Sequence, residues 1–152
     1  MTRVRPYALG DKDACLALFD SNVPTFFDST ERTLFEDFLD DPAGRYFCIE
    51  QDDRIVGCGG FARESRGQAR FTWGMVDQTR HGDGLGRLLT EHRLQEIVRT
   101  GDYKEADLST TPRIAPFFAK FGFVETGYEK DGFAPGMDKV LMVKILSEHA
   151  PA

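Results

Sequence analysis

Residues 81–87 read His81-Gly82-Asp83-Gly84-Leu85-Gly86-Arg87 and place three glycines between a strand pattern and a long helical pattern. Glycines let the backbone bend so that successive N–H groups converge, and the start of a helix adds roughly half a positive charge. A strand, a glycine turn and a helix in this order form an arrangement that binds phosphates. The stretch therefore predicts an α/β fold with an anionic ligand at the turn.

Two nucleotide-binding motifs can be tested against this turn by their spacing. The dinucleotide fingerprint G-x-G-x-x-G, started at Gly82, requires a glycine where Arg87 stands. The Walker A motif requires lysine followed by serine or threonine after its last glycine, whereas Arg87-Leu88 follows Gly86. Both motifs fail, which disfavours a nucleotide-binding domain.

Outward from the turn, strand and helix patterns alternate without repeats. Hydrophobic spacing predicts strands over residues 4–7, 45–50, 54–61, 69–76, 106–109, 123–128 and 140–146. It predicts helices from Asp11 to the break at Asn22, over 30–39 with Ser29 or Thr30 as the cap, from the glycine turn to about Thr100, and over 112–121. The inner side of the long helix is expected to hold Leu85, Leu88, Leu89, His92, Ile97 and Val98. This order predicts one mixed sheet with helices on its faces.

Three further glycines lie within the predicted strand over residues 54–61. Glycine inside a strand marks a bend or a close approach of another part of the backbone. We expect one of these two in this strand.

Composition limits the class of protein. The chain has 152 residues with a net charge of −6, and 41% of its residues are apolar. This length suits one domain, which we place over residues 1–152. The negative charge argues against nucleic acid or an anionic membrane as a partner, because both need clustered positive charge. No apolar run approaches the ~20 residues that cross a bilayer, and charged sequence follows the N-terminus in place of a signal peptide.

The three cysteines, Cys15, Cys48 and Cys58, are odd in number and widely spaced. They form no C-x-x-C pair, and no histidine lies beside them at ligand spacing. This pattern predicts reduced, mostly buried thiols in a cytoplasmic protein, with neither a disulfide framework nor a metal site.

The glycine turn resembles the pyrophosphate-binding motif of the GNAT superfamily (GCN5-related N-acetyltransferases). That motif, Arg/Gln-x-x-Gly-x-Gly/Ala, falls on residues 81–86 and is followed by Arg87-Leu88. Residues 117–123, Phe-Phe-Ala-Lys-Phe-Gly-Phe, resemble the F-Y-x-K-x-G-F segment that closes the second conserved block of the family. The opening Val4-Arg5-Pro6, followed by Asp11 and a helix, is similar to the usual family opening. The likeness therefore extends over nearly the whole chain.

The resemblance implies the acyl-CoA N-acyltransferase fold, a mixed, bent sheet of about six to seven strands flanked by about four helices. It implies direct transfer, in a ternary complex, of an acetyl or other short acyl group from acetyl-CoA to the amine of a small molecule or peptide. Main-chain N–H groups would hold the pyrophosphate, and the strand end at Met75 and Val76, where family members bulge, would hold the thioester carbonyl. The implied cofactor-binding residues are Met75, Val76, His81, Gly82, Asp83, Gly84, Leu85, Gly86, Arg87 and Phe118.

The chain departs from the family pattern at three positions. His81 stands in place of the usual arginine or glutamine, and Asp83 in place of a basic or polar residue, although Arg80 and Arg87 can offset its charge. Phe118 matches the tyrosine that serves the family as general acid, and a phenyl ring has no proton to give. Protonation of the leaving thiolate then needs another acid or solvent. The alternative is a CoA-binding sensor or partner-binding module without transfer activity.

The remaining candidate site residues are those that could transfer protons or bind the acceptor amine. Because most alkyl amines are protonated at neutral pH, the acceptor needs a base, for which Asp77, Glu31 and Asp28 are candidates. Tyr128 and Tyr103 are candidate acids, and Ser109 or Thr110 could hold a water in their place. Residues 23–28 and 133–138 combine aromatic rings with carboxylates, which suits an amine on an apolar body. The predicted acceptor-binding residues are Phe26, Phe27, Asp28 and Asp138. Exposed aromatic residues and a C-terminal hairpin are compatible with a homodimer.

Overall fold

The structure is a computed structural model and describes residues 1–146. Its strands are β1 (Thr2–Pro6), β2 (Arg45–Gln51), β3 (Arg54–Ser65), β4 (Gln68–Val76), β5 (Glu105–Thr110), β6 (Val124–Ala134) and β7 (Met137–Ile145). Its α-helices are α1 (Lys12–Ser21), α2 (Arg32–Asp40), α3 (Leu85–Thr100) and α4 (Ala115–Ala119). The strands form one sheet in the order β1-β2-β3-β4-β5-β7-β6, in which β4 and β5 pair in parallel. The predicted mixed sheet with four helices is confirmed.

Several element bounds differ from the sequence prediction. β6 continues to Ala134 and β7 begins at Met137, so most of residues 133–138, which lie between two predicted strands, belong to strands. β6 is an edge strand with mostly exposed residues, and polar side chains along it hide the period of two on which the prediction relied. α4 is shorter than predicted because residues 111–114 form a turn closed by Ile114 N–H and the Thr111 carbonyl.

The chain forms two compact units. The first comprises Met1–Ala62 and Thr72–Glu96. Its core lies where α1 and α2 pack on the sheet, and the buried side chains there are Cys15, Leu16, Leu18, Phe19, Phe35, Leu39, Tyr46, Cys48, Cys58 and Met75. The predicted burial of all three cysteines is confirmed, and all are free thiols. The contact with Cys15 and burial raise the pKa of the Cys48 thiol, which leaves it unreactive.

Helix α3 packs closely on the strands of the first unit. A side chain at Gly59 would stand 2.9 Å from Leu89 Cδ2, and one at Gly74 would stand 2.9 Å from the Arg93 guanidinium. The close backbone approach expected at the glycines of β3 is also present, since a Cβ at Gly59 would stand 3.1 Å from the Gly74 Cα of β4. Buried α3 residues recur every four positions, at Leu85, Leu89, Arg93 and Ile97.

The set of α3 residues predicted to face the core was wrong at Val98 and did not include Arg93. Val98 is 60% exposed, because it follows Ile97 and lies off the four-residue spacing. Arg93 is only 3% exposed, and burial lowers its pKa to about 10. Its Nη1 lies 3.4 Å from the Gly60 carbonyl oxygen.

The second unit comprises Arg63–Phe71 and the described part of Ile97–Ala152. Phe71 lies edge-on to Phe118 and Phe123, with ring centroids 6.3 and 5.4 Å away. Arg70 donates to Asp107 at 2.8 Å. Burial and the neighbouring Glu64 raise the pKa of Asp107 to about 6 despite this ion pair. Across residues 1–146, none of the helices is long and apolar enough to cross a membrane.

An ion pair between Arg5 and Asp11 links β1 to the start of α1. Arg5 donates to both oxygens of Asp11, at 2.8 and 3.0 Å, and the Ala8 N–H donates to Asp11 Oδ2 at 2.9 Å. The Arg5 hydrogen bonds hold the pKa of Asp11 below its ordinary value, although partial burial acts in the opposite direction. Asp11 is therefore ionised in the folded state at a pH where the unfolded chain is partly protonated.

We expect Asp11→Asn to lower the free energy of unfolding at pH 7 by about 2 kcal/mol, because it removes a bidentate ionic hydrogen bond. A lowered folded-state pKa stabilises the fold fully above the unfolded-state pKa of about 4, and this stabilisation is lost as the pH falls through the folded value. Urea denaturation at several pH values should show the difference from wild type shrinking below about pH 4. Asp37→Asn, on the exposed side of α2, is the matched control and should have little effect. Equal losses in both variants would contradict this role.

Candidate active site

Strand β4 carries an irregular residue just before its end. Trp73 has a positive φ of 36°, which is uncommon for a residue other than glycine. Its carbonyl accepts a hydrogen bond from the buried Tyr46 hydroxyl at 2.6 Å, and its ring lies 4.9 Å from that of Phe35. These contacts hold the strained backbone in place. The irregularity thus lies two residues before Met75, at Trp73.

The peptide unit between Val76 and Asp77 joins β4 to the glycine turn and is held from three sides. Its N–H donates to the Val56 carbonyl on β3 at 2.9 Å. Its carbonyl accepts from the Asn22 amide, also at 2.9 Å. His81 Nε2 lies 2.9 Å from the same oxygen, and since a carbonyl oxygen only accepts, this nitrogen carries the proton.

The glycine turn, residues 81–87, has room for a ligand along its backbone. Gly82 and Gly84 have φ values of 95° and 83°, and nothing lies within 4 Å of where a side chain would stand at either position. The first helical hydrogen bond of α3 runs from Leu88 N–H to the Gly84 carbonyl. The N–H groups of residues 85–87 therefore have no partner within the helix. A 16-residue helix whose first N–H groups have no helical partner, beside an open backbone, suits an anion such as a diphosphate.

Side chains around the glycine turn add charge of both signs. Arg80 donates to the Gln51 amide oxygen at 2.8 Å, and Arg87 donates to Glu91 at 3.0 Å within α3. Asp83 is exposed. Both arginines thus have partners other than Asp83 in this structure, and their offset of its charge stays a prediction.

The carboxylates predicted for the acceptor region cap the short 3-10 turn over Ser29–Glu31, which leads into α2. The Thr30 N–H donates to Asp28 at 3.0 Å, and the Asp28 N–H donates to Glu31 at the same distance. This is a reciprocal capping box. The Thr30 hydrogen bonds lower the pKa of Asp28. The cap is Asp28, so the prediction of Ser29 or Thr30 was wrong.

Asp77 caps the short 3-10 turn over Gln78–Arg80. Its carboxylate accepts from the Thr79 N–H at 2.9 Å and from the Thr79 hydroxyl at 2.8 Å. Partial burial raises the pKa of Asp77, but the bonds from Thr79 outweigh it and the net shift is downward. This carboxylate is ionised at neutral pH and is a weaker base than a free one.

The two neighbouring phenylalanines of residues 23–28 have different surroundings. Phe27 stacks on Phe19 of the core, with ring centroids 4.9 Å apart. Phe26 lies 5.0 Å from the His81 ring. Phe27 therefore helps to form the core, while Phe26 links this segment to the glycine turn.

In the second unit, two residues predicted separately lie together on the β6–β7 hairpin. The Tyr128 hydroxyl donates to Asp138 at 2.5 Å, which raises the pKa of Tyr128. The Asp131 N–H also donates to Asp138, at 2.8 Å, and lowers its pKa. Phe118 lies in an aromatic cluster of this unit, 5.1 Å from Phe117.

Sequence reasoning missed Asn22 and Trp73. Asn22 was taken only as a helix breaker before Val23-Pro24, yet it is 2% exposed and its amide reaches β4. Trp73 fits regular strand alternation in the sequence, and nothing there marks its left-handed backbone. In contrast, Asp28-Ser29-Thr30-Glu31 has the spacing of a capping box, which is a signal for the local role of both carboxylates.

Comparison with known proteins identifies the family of this chain. A family model described as an acetyltransferase (GNAT) domain matches residues 17–146. The chain therefore belongs to the GNAT acetyltransferase family. A comparison with curated proteins finds no match.

Solved structures share the fold at low sequence identity. The ribosomal-protein-S18-alanine N-acetyltransferase from Escherichia coli superposes with a TM-score of 0.79 at 16% identity, over 100% of both chains. An aminoglycoside 6'-N-acetyltransferase complexed with coenzyme A has a TM-score of 0.78 at 13% identity, over 98% of this chain and 99% of that one. A GNAT acetyltransferase from Elizabethkingia anophelis with acetyl-CoA bound has a TM-score of 0.74 at 16% identity, over 95% and 98%.

We expect Gly84→Glu to abolish CoA binding while the protein stays folded. The new side chain fills the open space beside the N–H groups of α3 and repels a diphosphate. Isothermal titration calorimetry measures the affinity, and circular dichroism checks the fold.

The matched control is Gly101→Glu. Gly101 also has a positive φ, 74°, and open space around it, but it lies at the other end of α3. Both substitutions carry a similar backbone strain of about 1–2 kcal/mol. Unchanged CoA affinity in Gly84→Glu, or equal loss in both variants, would contradict the phosphate assignment.

Proposed function

We propose that the protein transfers an acetyl or other short acyl group from acyl-CoA to an amine, by direct attack in a ternary complex. The observation that carries this proposal is the glycine turn, where open backbone meets free N–H groups at the start of α3. Family membership supports the reaction class. We further propose one acetyltransferase domain over residues 1–152 of a cytoplasmic protein, with homodimerisation remaining a prediction.

The chain would hold the coenzyme mainly through its backbone. N–H groups of residues 82–87 would bind the pyrophosphate, and His81 and Arg87 would add positive charge or hydrogen bonds. The acetyl thioester of the coenzyme supplies the acyl group. Fixed N–H groups at the end of β4, at Met75 and Val76, would polarise its carbonyl. The hydrogen bonds around the Val76–Asp77 peptide support this role, since they hold the strand end rigid.

The acceptor is proposed to be the amine of a small molecule or peptide. Residues 12–41 contain eight acidic and two basic residues, so this segment alone carries a charge of −6. Such a surface attracts protonated amines over a distance. The relatives named above act on different amines, a ribosomal-protein alanine and an aminoglycoside. Phe26, Phe27, Asp28 and Asp138 remain the proposed acceptor-binding residues.

Proton transfer is assigned to carboxylates and a tyrosine. Asp77 or Glu31 would take the amine proton, directly or through water. Tyr128 would return a proton to the leaving thiolate, since Phe118 has none to give. Hydrogen bonds within the chain already occupy all three side chains, so each would act from a preformed contact.

The second candidate function is CoA binding without transfer, in a sensor or partner-binding module. Phe118 is the observation that favours it, because the general acid of the family is absent there. The two functions differ in whether an added amine is consumed.

A screen with acetyl-CoA separates these functions. Polyamines, aminoglycosides, amino acids and peptides with free N-termini are each incubated with the protein, and CoA release is corrected for hydrolysis. Amine-dependent CoA release is expected for the transferase. CoA binding without such release on any amine supports the module, and failure to bind CoA in calorimetry overturns both.

We expect Phe118→Tyr to raise kcat at least about tenfold if the enzyme works with an impaired acid. The matched control is Phe117→Tyr, which adds a hydroxyl to the neighbouring residue of α4 and should leave kcat unchanged. Steady-state kinetics on an amine found in the screen gives both values. Equal kcat in wild type and Phe118→Tyr would show that position 118 does not limit the reaction.

A further inference from the structure

Asn22 is a buried polar residue that connects three parts of the first unit. Its amide donates to the Leu18 carbonyl of α1 at 2.8 Å and to the Val76 carbonyl of β4 at 2.9 Å. An amide NH2 has two protons, and the bonds to the two carbonyls are its shortest, since the Ser21 hydroxyl lies 3.3 Å from the same nitrogen. The residue is 2% exposed, so its amide is shielded from water. Each carbonyl has a second donor, the Ser21 hydroxyl for Leu18 at 2.8 Å and His81 Nε2 for Val76 at 2.9 Å, so removal of the amide takes away one of two partners from each.

The backbone of Asn22 also organises residues 23–28, here named the acceptor segment. The Asn22 carbonyl accepts from the N–H groups of Phe26 and Phe27 at 2.8 and 3.2 Å. One residue therefore fixes the path of the acceptor segment with its backbone and the end of β4 with its side chain.

His81 closes this set of contacts into a ring. Its Nε2 donates to the Val76 carbonyl that Asn22 also reaches, and its imidazole lies 5.0 Å from the Phe26 ring. The acceptor segment thus touches the glycine turn directly through Phe26, and indirectly through Asn22 and Val76. A ligand that fixes His81 also restricts Phe26.

We propose that Asn22 is a positioning residue that couples the acceptor segment to the glycine turn through the Val76–Asp77 peptide. The role rests on the proposed function, since it assumes that the turn binds the coenzyme. Asn22 fixes the carbonyl of this peptide while Val56 fixes its N–H. Binding at the turn then orders the segment that receives the amine, and the two substrates bind with positive coupling.

The first test measures this coupling without turnover. Hydrogen exchange of the Phe26 and Phe27 amides is followed with and without CoA, in wild type and in Asn22→Leu, which keeps the branched shape of the side chain but removes both donors. We expect CoA to slow exchange of these amides at least threefold in wild type and not in the variant. CoA that binds wild type without slowing them overturns the coupling and leaves the proposed function intact. Failure of wild type to bind CoA overturns the proposed function and the coupling with it.

The second test separates positioning from a merely structural role by kinetics. In Asn22→Leu we expect kcat to fall by about tenfold to a hundredfold per folded molecule, as for a misplaced reacting group, with a smaller change in KM for acetyl-CoA. Asn22→Ser keeps one donor and should recover part of kcat. Tyr7→Phe is the control, since it removes a hydrogen bond to the Leu39 carbonyl elsewhere in the same unit and should lower stability alone. Wild-type kcat in Asn22→Leu would overturn the role.

Discussion

The start of α3 is the constraint on which the candidate site depends. A helix leaves its first N–H groups without helical partners, and here these groups lie beside the open backbone of Gly82 and Gly84. Helix α3 packs on the sheet through Leu89 and Arg93, whose side chains lie 2.9 Å from where a Cβ would stand at Gly59 and Gly74. The protein thus holds a set of preorganised donors that needs little rearrangement to receive an anion.

The strained residue in β4 shows how the core contributes to the site. A left-handed tryptophan costs of order 1–3 kcal/mol, and Trp73 is held there by the Tyr46 hydroxyl and by packing against the rings of α1 and α2. The aromatic cluster therefore does more than exclude water. It supports an irregular strand two residues before the backbone groups proposed to face the thioester.

The sequence alone was enough to predict the glycine turn, the order of elements and the family, because each depends on residues close together in the chain. Asn22, Trp73 and Arg93 were not predictable, because their roles come from groups more than 20 residues away. The length of edge strand β6 was underestimated, because its exposed residues show no hydrophobic alternation. Asp28 was mispredicted for a different reason. The spacing of its capping box was visible in the sequence, but Asp28 was interpreted as an acceptor-binding residue because it lies near the expected pocket.

Asp28 and Asp77, which are candidates for the site, also cap 3-10 turns, and this limits their strength as bases. The hydrogen bonds of Thr30 and Thr79 stabilise the charged forms of Asp28 and Asp77 and lower their pKa values. A lower pKa makes each a weaker base toward an ammonium group. Under the proposed function, Phe118 also offers no proton at the position that the family resemblance assigns to the general acid, so proton transfer would contribute less to the rate. Positioning would then supply the larger share, and this is the role that we propose for the buried Asn22 amide at the end of β4.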